Sequence, residues 1–122
     1  MEVSADEKFL HDWVIRQTQE KFSKLYNEIN INPGEEQNFE YKGHYPDVLL
    51  GSYGEIVQLI EVETESTINE SKVDYWKELS ELGVQLILLV PKEFQNHLRD
   101  ICWKSGLAAK VKIGSFDVDI KI

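Results

Sequence analysis

Three carboxylates lie at the ends of two apolar segments that follow one another in the chain. Asp47 stands near the start of the first segment, 44–50, and Glu61 and Glu63 end the second, 56–63. Successive side chains of a strand point to opposite faces of its sheet, so Glu61 and Glu63 share one face. A hairpin between the two segments brings Asp47 close to both glutamates. The spacing therefore predicts a cluster of three acids at one end of a sheet.

Crowded carboxylates repel one another unless a cation or protons lie between them. These three acids have no basic neighbour in the sequence, and Glu61 belongs to an otherwise apolar strand. A cation is therefore their natural partner, and carboxylate oxygens suit hard cations such as Mg²⁺ and Mn²⁺. The alternative interpretation is a row of exposed acids at strand ends, which would carry no function.

Length and composition limit the classes of protein to consider. The 122 residues, 42% of them hydrophobic, fit one packed domain, 1–122. Cys102 is the single cysteine, which excludes an internal disulfide and favours a reducing compartment. The acidic N-terminus does not resemble a signal peptide, and no apolar run is long enough to cross a bilayer. We therefore expect a cytoplasmic protein that does not enter membranes.

Missing sequence motifs and the net charge reduce the number of reaction types to consider. The chain contains no Gly-rich phosphate loop, no Cys-x-x-Cys, no His-Glu-x-x-His and no Gly-x-Ser-x-Gly. Its formal net charge of −9 counts against broad, nonspecific binding to a phosphate backbone. The acidic cluster remains as the candidate site.

The hydrophobic periodicity predicts an α/β domain with a central mixed β-sheet that helices cover on both faces. The elements follow the order α-β-β-β-α-β-α-β-β. In chain order we expect helix Asp6–Asn30, strands Gln37–Lys42, 44–50 and Ile56–Glu63, helix Thr67–Leu82, strand Val84–Val90, a helix from Pro91 to Ser105, and strands Ala108–Ile113 and Phe116–Ile122.

Lys72 occupies an unusual place for a lysine. Thr67 and Glu70 have the spacing of a capping box, which starts the second helix at Thr67. Lys72 then falls on the apolar stripe of that helix together with Trp76. Either its stem packs while the amine reaches water, or the amine points at the carboxylate cluster.

These residues resemble a known family. Pro46-Asp47 followed by Glu61-Val62-Glu63, on the order helix, three strands, helix, strand, is similar to the PD-(D/E)XK nuclease superfamily with its restriction-endonuclease-like fold. The resemblance extends from about residue 6 to residue 90 and rests on a short motif and the element order. It implies that Asp47 and Glu61 ligate Mg²⁺ or Mn²⁺, together with the carbonyl of Val62.

The third motif position departs from the family. A lysine is usual there, and this chain has Glu63. Some members have Glu or Gln at that place, and in others the lysine has moved to the following helix, which Lys72 matches. The resemblance implies metal-assisted hydrolysis of phosphodiester bonds in DNA, with Glu63 or Lys72 acting on the attacking water.

The departure leaves a second interpretation open. A nuclease-like domain that has lost catalysis would serve as a protein-interaction or nucleic-acid-binding module. A domain of this size also offers little surface to grip a duplex. We therefore expect DNA as the substrate or ligand, and a homodimer or a partner protein to supply further contacts.

Overall fold

The computed structural model describes residues 4–117 and confirms the predicted α/β class. One five-stranded mixed sheet is flanked by helices. The elements are α1 Ala5–Phe22, β1 Glu28–Ile31, β2 Val48–Ser52, β3 Glu55–Val62, α2 Val73–Ser80, β4 Gln85–Pro91, α3 Gln95–Ser105 and β5 Val111–Phe116. Short 3-10 helices cover Glu65–Thr67, Glu70–Lys72 and Lys92–Phe94. No helix within residues 4–117 has the length and apolar character needed to cross a membrane.

The sheet register brings the start of β2 beside the end of β3. The strands lie in the order β1-β2-β3-β4-β5; the first three are antiparallel, and β4 and β5 each run parallel to the preceding strand. Val48 pairs with Ile60. Tyr53 and Gly54 connect the hairpin with φ angles of 52° and 82°, the left-handed conformation that a tight two-residue turn requires. The predicted hairpin is confirmed, and it places Asp47 across from Glu61.

Both faces of the sheet are covered, as its apolar strands predict. On one face, Trp76 and Leu79 of α2 and Leu98 of α3 pack against the sheet. On the other face, Val14 and Ile15 of α1 pack against β2 and β3. A strand between two such layers is shielded from water, so any carboxylate within it is placed in a poorly solvated environment.

The predicted first helix is too long, and the predicted first strand is wrong. The helix ends at Phe22, and Glu28–Ile31 forms the edge strand β1, in which Ile29 pairs with Leu50. Pairing with β2 and burial against α1 outweigh the helical periodicity of this segment. Gln37–Lys42 lies in a loop that contributes only an isolated bridge between Tyr41 and His44.

The predicted helix Thr67–Leu82 also needs correction. Two 3-10 turns precede it, and the α-helix begins only at Val73. Thr67 is not its N-cap: Thr67 Oγ1 accepts the N–H of Thr64 at 2.9 Å and closes the first 3-10 turn. Glu7 of α1 binds Thr64 and Ser66, so long-range hydrogen bonds hold this segment outside the helix.

The predicted break between two final strands at Gly114-Ser115 is wrong. β5 continues through Gly114 and Ser115, which pair with Leu89 and Val90 of β4. Gly114 lies at a closely packed position and not in a turn, since a Cβ there would approach Leu89 Cδ1 to 3.2 Å. Residues 118–122 of the predicted last strand lie outside the described residues.

Asn32 holds the loop between β1 and β2. Its buried Nδ2 donates to the carbonyls of Phe39 and Pro46, both at 2.8 Å. Its Oδ1 accepts the N–H groups of Asn38 and Phe39 at 3.0 and 2.9 Å. Since Pro46 precedes Asp47, this one side chain sets where β2 begins and where Asp47 lies.

Asn32→Ala is expected to lower the free energy of unfolding by about 2 to 4 kcal/mol, because buried backbone groups lose their partners at about 1 to 3 kcal/mol each. Urea denaturation followed by circular dichroism measures the change. Asn38→Ala is the matched control, since that side chain binds Glu36 at an exposed site; its effect should stay within about 0.5 kcal/mol. Equal unfolding midpoints for Asn32→Ala and wild type would contradict this role.

Candidate active site

A recess of about 580 Å³ opens where β2 begins and β3 ends. Helix α1 and the β1–β2 loop form one side, and the turns leading into α2 form the other. The sequence-predicted site residues all line this recess: Asp47, Glu61, Val62, Glu63 and Lys72. The structure therefore brings together residues from two strands and a helix terminus.

Asp47 is held by two donors on one oxygen. Its side chain is mostly buried, with 8% of the residue exposed. Oδ2 accepts the N–H of Val62 at 2.8 Å and lies 3.0 Å from Nε2 of His11. The backbone of β3 and a side chain of α1 thus define the orientation of this carboxylate.

Glu61 is buried beside Asp47. Burial raises the pKa of the Glu61 carboxyl well above its ordinary value, and the charge and hydrogen bond of Asp47 raise it further. The hydroxyl of Tyr75 donates to Glu61 Oε1 at 3.0 Å. Without a cation, Glu61 therefore favours its protonated form.

Glu63 and Lys72 form a pair at the inner end of the recess. Glu63 is 2% exposed, and burial raises the pKa of its carboxyl, while the charge of Lys72 opposes the rise. Lys72 Nζ lies 3.4 Å from Glu63 Oε1 and 4.9 Å from the ring centre of Tyr75. Of the two alternatives for Lys72, the observed geometry is the one in which its amine points at the carboxylates.

Lys72 reaches this position from an element that the sequence did not predict. It is the last residue of the 3-10 helix Glu70–Lys72 and immediately precedes α2. Trp76, one turn further on, donates from Nε1 to Glu63 Oε1 at 3.3 Å. The same carboxylate oxygen therefore contacts both the lysine amine and the indole.

His11 and Asp12 complete the recess, and the sequence analysis missed both. Nδ1 of His11 lies 3.1 Å from Asp12 Oδ1, which also accepts the N–H of Gly34 at 2.8 Å. Burial lowers the pKa of His11, but the hydrogen bonds and charges of Asp47 and Asp12 outweigh it and raise the pKa to about 9. One signal was present: His11 precedes the core residue Ile15 by one helical turn, and so faces the sheet.

Glu7 forms hydrogen bonds with the segment that follows β3. Its Oε2 accepts the hydroxyl of Thr64 at 2.7 Å and both the N–H and the hydroxyl of Ser66, at 3.2 and 2.6 Å. These bonds lower the pKa of the Glu7 carboxyl. The start of α1 is thereby tied to the residues directly after Glu63, which form one wall of the recess.

Two carboxylates of the recess are candidate ligands for a cation. Within residues 4–117, no three or more His, Cys, Asp and Glu side chains are arranged closely enough to hold a metal ion. Asp47 and Glu61 provide two neighbouring carboxylates. The carboxylate of Glu63 is already bound by the amine of Lys72 and the indole N–H of Trp76. Mg²⁺ is commonly bound by one or two carboxylates and retains several waters. Asp47 and Glu61 are therefore the side chains that would hold a hydrated Mg²⁺ or Mn²⁺.

Comparisons of this chain with protein-family models, with curated proteins and with solved structures found no match.

Proposed function

We propose that this chain is a Mg²⁺- or Mn²⁺-dependent nuclease that hydrolyses phosphodiester bonds in DNA. The observation that carries the proposal is the recess in which buried Asp47 and Glu61 lie side by side, with the amine of Lys72 directed at the same cluster. A buried carboxyl with a raised pKa, next to a second carboxylate and a fixed positive charge, is a typical arrangement of hydrolytic sites.

The element order supports the same proposal. The chain runs α1-β1-β2-β3-α2-β4, which is the order on which the resemblance to PD-(D/E)XK nucleases rests. Glu28–Ile31 takes the place of the strand that was predicted at Gln37–Lys42. Asp47 directly precedes β2 and Glu61 lies in β3, each next to the paired residues Val48 and Ile60 of these antiparallel strands.

The proposed mechanism assigns separate tasks to the residues of the recess. Asp47, Glu61 and the Val62 carbonyl would hold the cation, which when bound would lower the pKa of a water and offset charge on the phosphate. Lys72 presents a fixed positive charge to the phosphate oxygens as negative charge develops on them. Glu63 holds the lysine amine in place by its 3.4 Å contact and accepts a proton from the attacking water as the water oxygen bonds to phosphorus. The P–O bond to the leaving group breaks, and solvent water protonates the departing oxygen.

A second candidate function is a nuclease-like module that binds protein or nucleic acid without catalysis. The contact between Lys72 and Glu63 favours it, because a glutamate at the usual lysine position neutralises the amine. The formal net charge of −9 favours it too, since an acidic body repels phosphates. A homodimer or a partner protein would supply the missing basic surface for DNA.

A cytoplasmic location forms part of the proposal. Cys102 is buried and free, and a reducing compartment preserves a free thiol.

Lys72→Met is expected to lower the rate of Mg²⁺-dependent DNA cleavage by about 100- to 1000-fold, because the positive charge at the phosphate is lost. The assay follows cleavage of linear single-stranded and duplex DNA with and without Mg²⁺. Lys77→Met is the matched control on α2 and should cleave at the wild-type rate, since Lys77 does not line the recess. No cleavage of either DNA by the wild type, with binding retained, would favour the non-catalytic module.

A further inference from the structure

The orientation of Asp47 depends on a residue of α1, far away in the sequence. Asp47 Oδ2 is engaged by both the Val62 N–H and His11 Nε2, at 2.8 and 3.0 Å. Oδ2 is therefore restrained from two sides, by the backbone of β3 and by a side chain of α1.

His11 is itself restrained from its other side. Nδ1 lies 3.1 Å from Asp12 Oδ1, and that oxygen also accepts the N–H of Gly34. Both ring nitrogens are thus engaged by carboxyl groups, Nε2 by Asp47 and Nδ1 by Asp12. With both nitrogens engaged, the imidazole has none left to ligate a cation. In this arrangement His11 acts on Asp47 and is not itself a ligand.

We infer that His11, held by Asp12, is a positioning residue that orients the Asp47 carboxylate toward the cation; the inference rests on the proposed function. A partner of this kind restricts rotation of a ligating side chain, and its loss typically weakens metal binding by about 10- to 100-fold. The interaction joins α1 to the start of β2, so a change in α1 alters the site without touching the cation.

The first test needs no metal. The amide of Val62 reports the position of Asp47 Oδ2, because it donates to that oxygen. We expect its ¹H–¹⁵N resonance in His11→Leu to move toward the position seen in Asp47→Ala. In His11→Gln the side-chain amide replaces the ring N–H, and the resonance should remain near the wild-type position. His97→Leu, a change of an exposed histidine on α3, is the control.

The second test is a Mn²⁺ titration of the same variants. We expect His11→Leu to bind about 10- to 100-fold more weakly than wild type, and His11→Gln to recover binding to within a few-fold. A Val62 resonance unchanged in a folded His11→Leu would overturn the inference, and so would a His11→Gln variant that binds as weakly as His11→Leu. Failure of the wild type to bind Mn²⁺ would instead remove the proposed metal site, while the Val62 resonance would still decide whether His11 positions Asp47.

Discussion

We expect Asp47→Asn to reduce the rate of the proposed Mg²⁺-dependent DNA hydrolysis by about 1000-fold or more. Asp47 is the carboxylate that both strands and α1 position, and its charge lies beside Glu61. An amide retains the shape of the side chain but removes the negative charge that binds the cation. Loss of a cation that stabilises the transition state by several kcal/mol corresponds to this reduction in rate.

The control for this experiment is Asp74→Asn. Asp74 lies in the first turn of α2, is exposed and does not line the recess. Its replacement removes the same charge from the protein as a whole, so it should leave the rate within about two-fold of wild type, as expected for a surface substitution. Cleavage by Asp47→Asn at the wild-type rate would show that any nuclease activity arises elsewhere.

Glu61→Gln raises the thermal stability of the metal-free protein at neutral pH. The carboxyl of Glu61 is buried next to the charges of Asp47 and Glu63, and burial is the main cause of its raised pKa. Glutamine occupies nearly the same volume but carries no charge, so it avoids the free-energy cost of burying a carboxylate beside other acids. We expect a gain of about 1 to 2 kcal/mol, the usual size of a stabilising substitution, and a rise in midpoint of about 4 to 8 °C.

The stabilisation by Glu61→Gln should increase as pH rises above the ordinary pKa of glutamate. Below the ordinary pKa of glutamate, 4.5, the carboxyl is protonated in both folded and unfolded protein, so Glu61→Gln and wild type should differ little. Above it, the unfolded chain releases the proton while the folded protein retains it. The wild type therefore loses stability as pH rises from 4.5 toward the raised pKa, and the advantage of Glu61→Gln grows over that range.

Thermal unfolding between pH 4 and pH 8 without divalent cations measures this effect. Glu55→Gln is the matched control, because Glu55 is the exposed first residue of the same strand. The control should change the midpoint little at any pH. An equal or lower midpoint for Glu61→Gln at pH 7 would contradict the view that an ionised Glu61 is destabilising in the absence of a cation.

The sequence was most informative where the determining contacts are local. Asp47 and Glu61 are joined by a hairpin whose turn lies between them, so alternation along two strands predicts that they meet. The apolar segment that became β4 likewise predicts a buried strand, and it lies between parallel neighbours. In each case the pattern within a few residues determines the structure.

The sequence predictions failed where contacts between residues far apart in the chain determine the structure. Glu28–Ile31 has helical periodicity yet becomes a strand, because β2 offers a pairing edge that the local pattern does not reveal. His11 is 36 residues from Asp47, and only the packing of α1 on the sheet brings them together. A polar residue near the start of a helix otherwise resembles part of a solvated face. The residue that orients Asp47 was therefore harder to predict from the sequence than the acids of the site.

A calorimetric titration of Mn²⁺ into the wild type and Asp47→Ala tests the central claim most directly. The proposed cation site predicts saturable binding to the wild type that disappears in the variant, with both proteins folded by circular dichroism. Absence of binding to the wild type, or equal binding to both proteins, would contradict a metal site at Asp47 and Glu61.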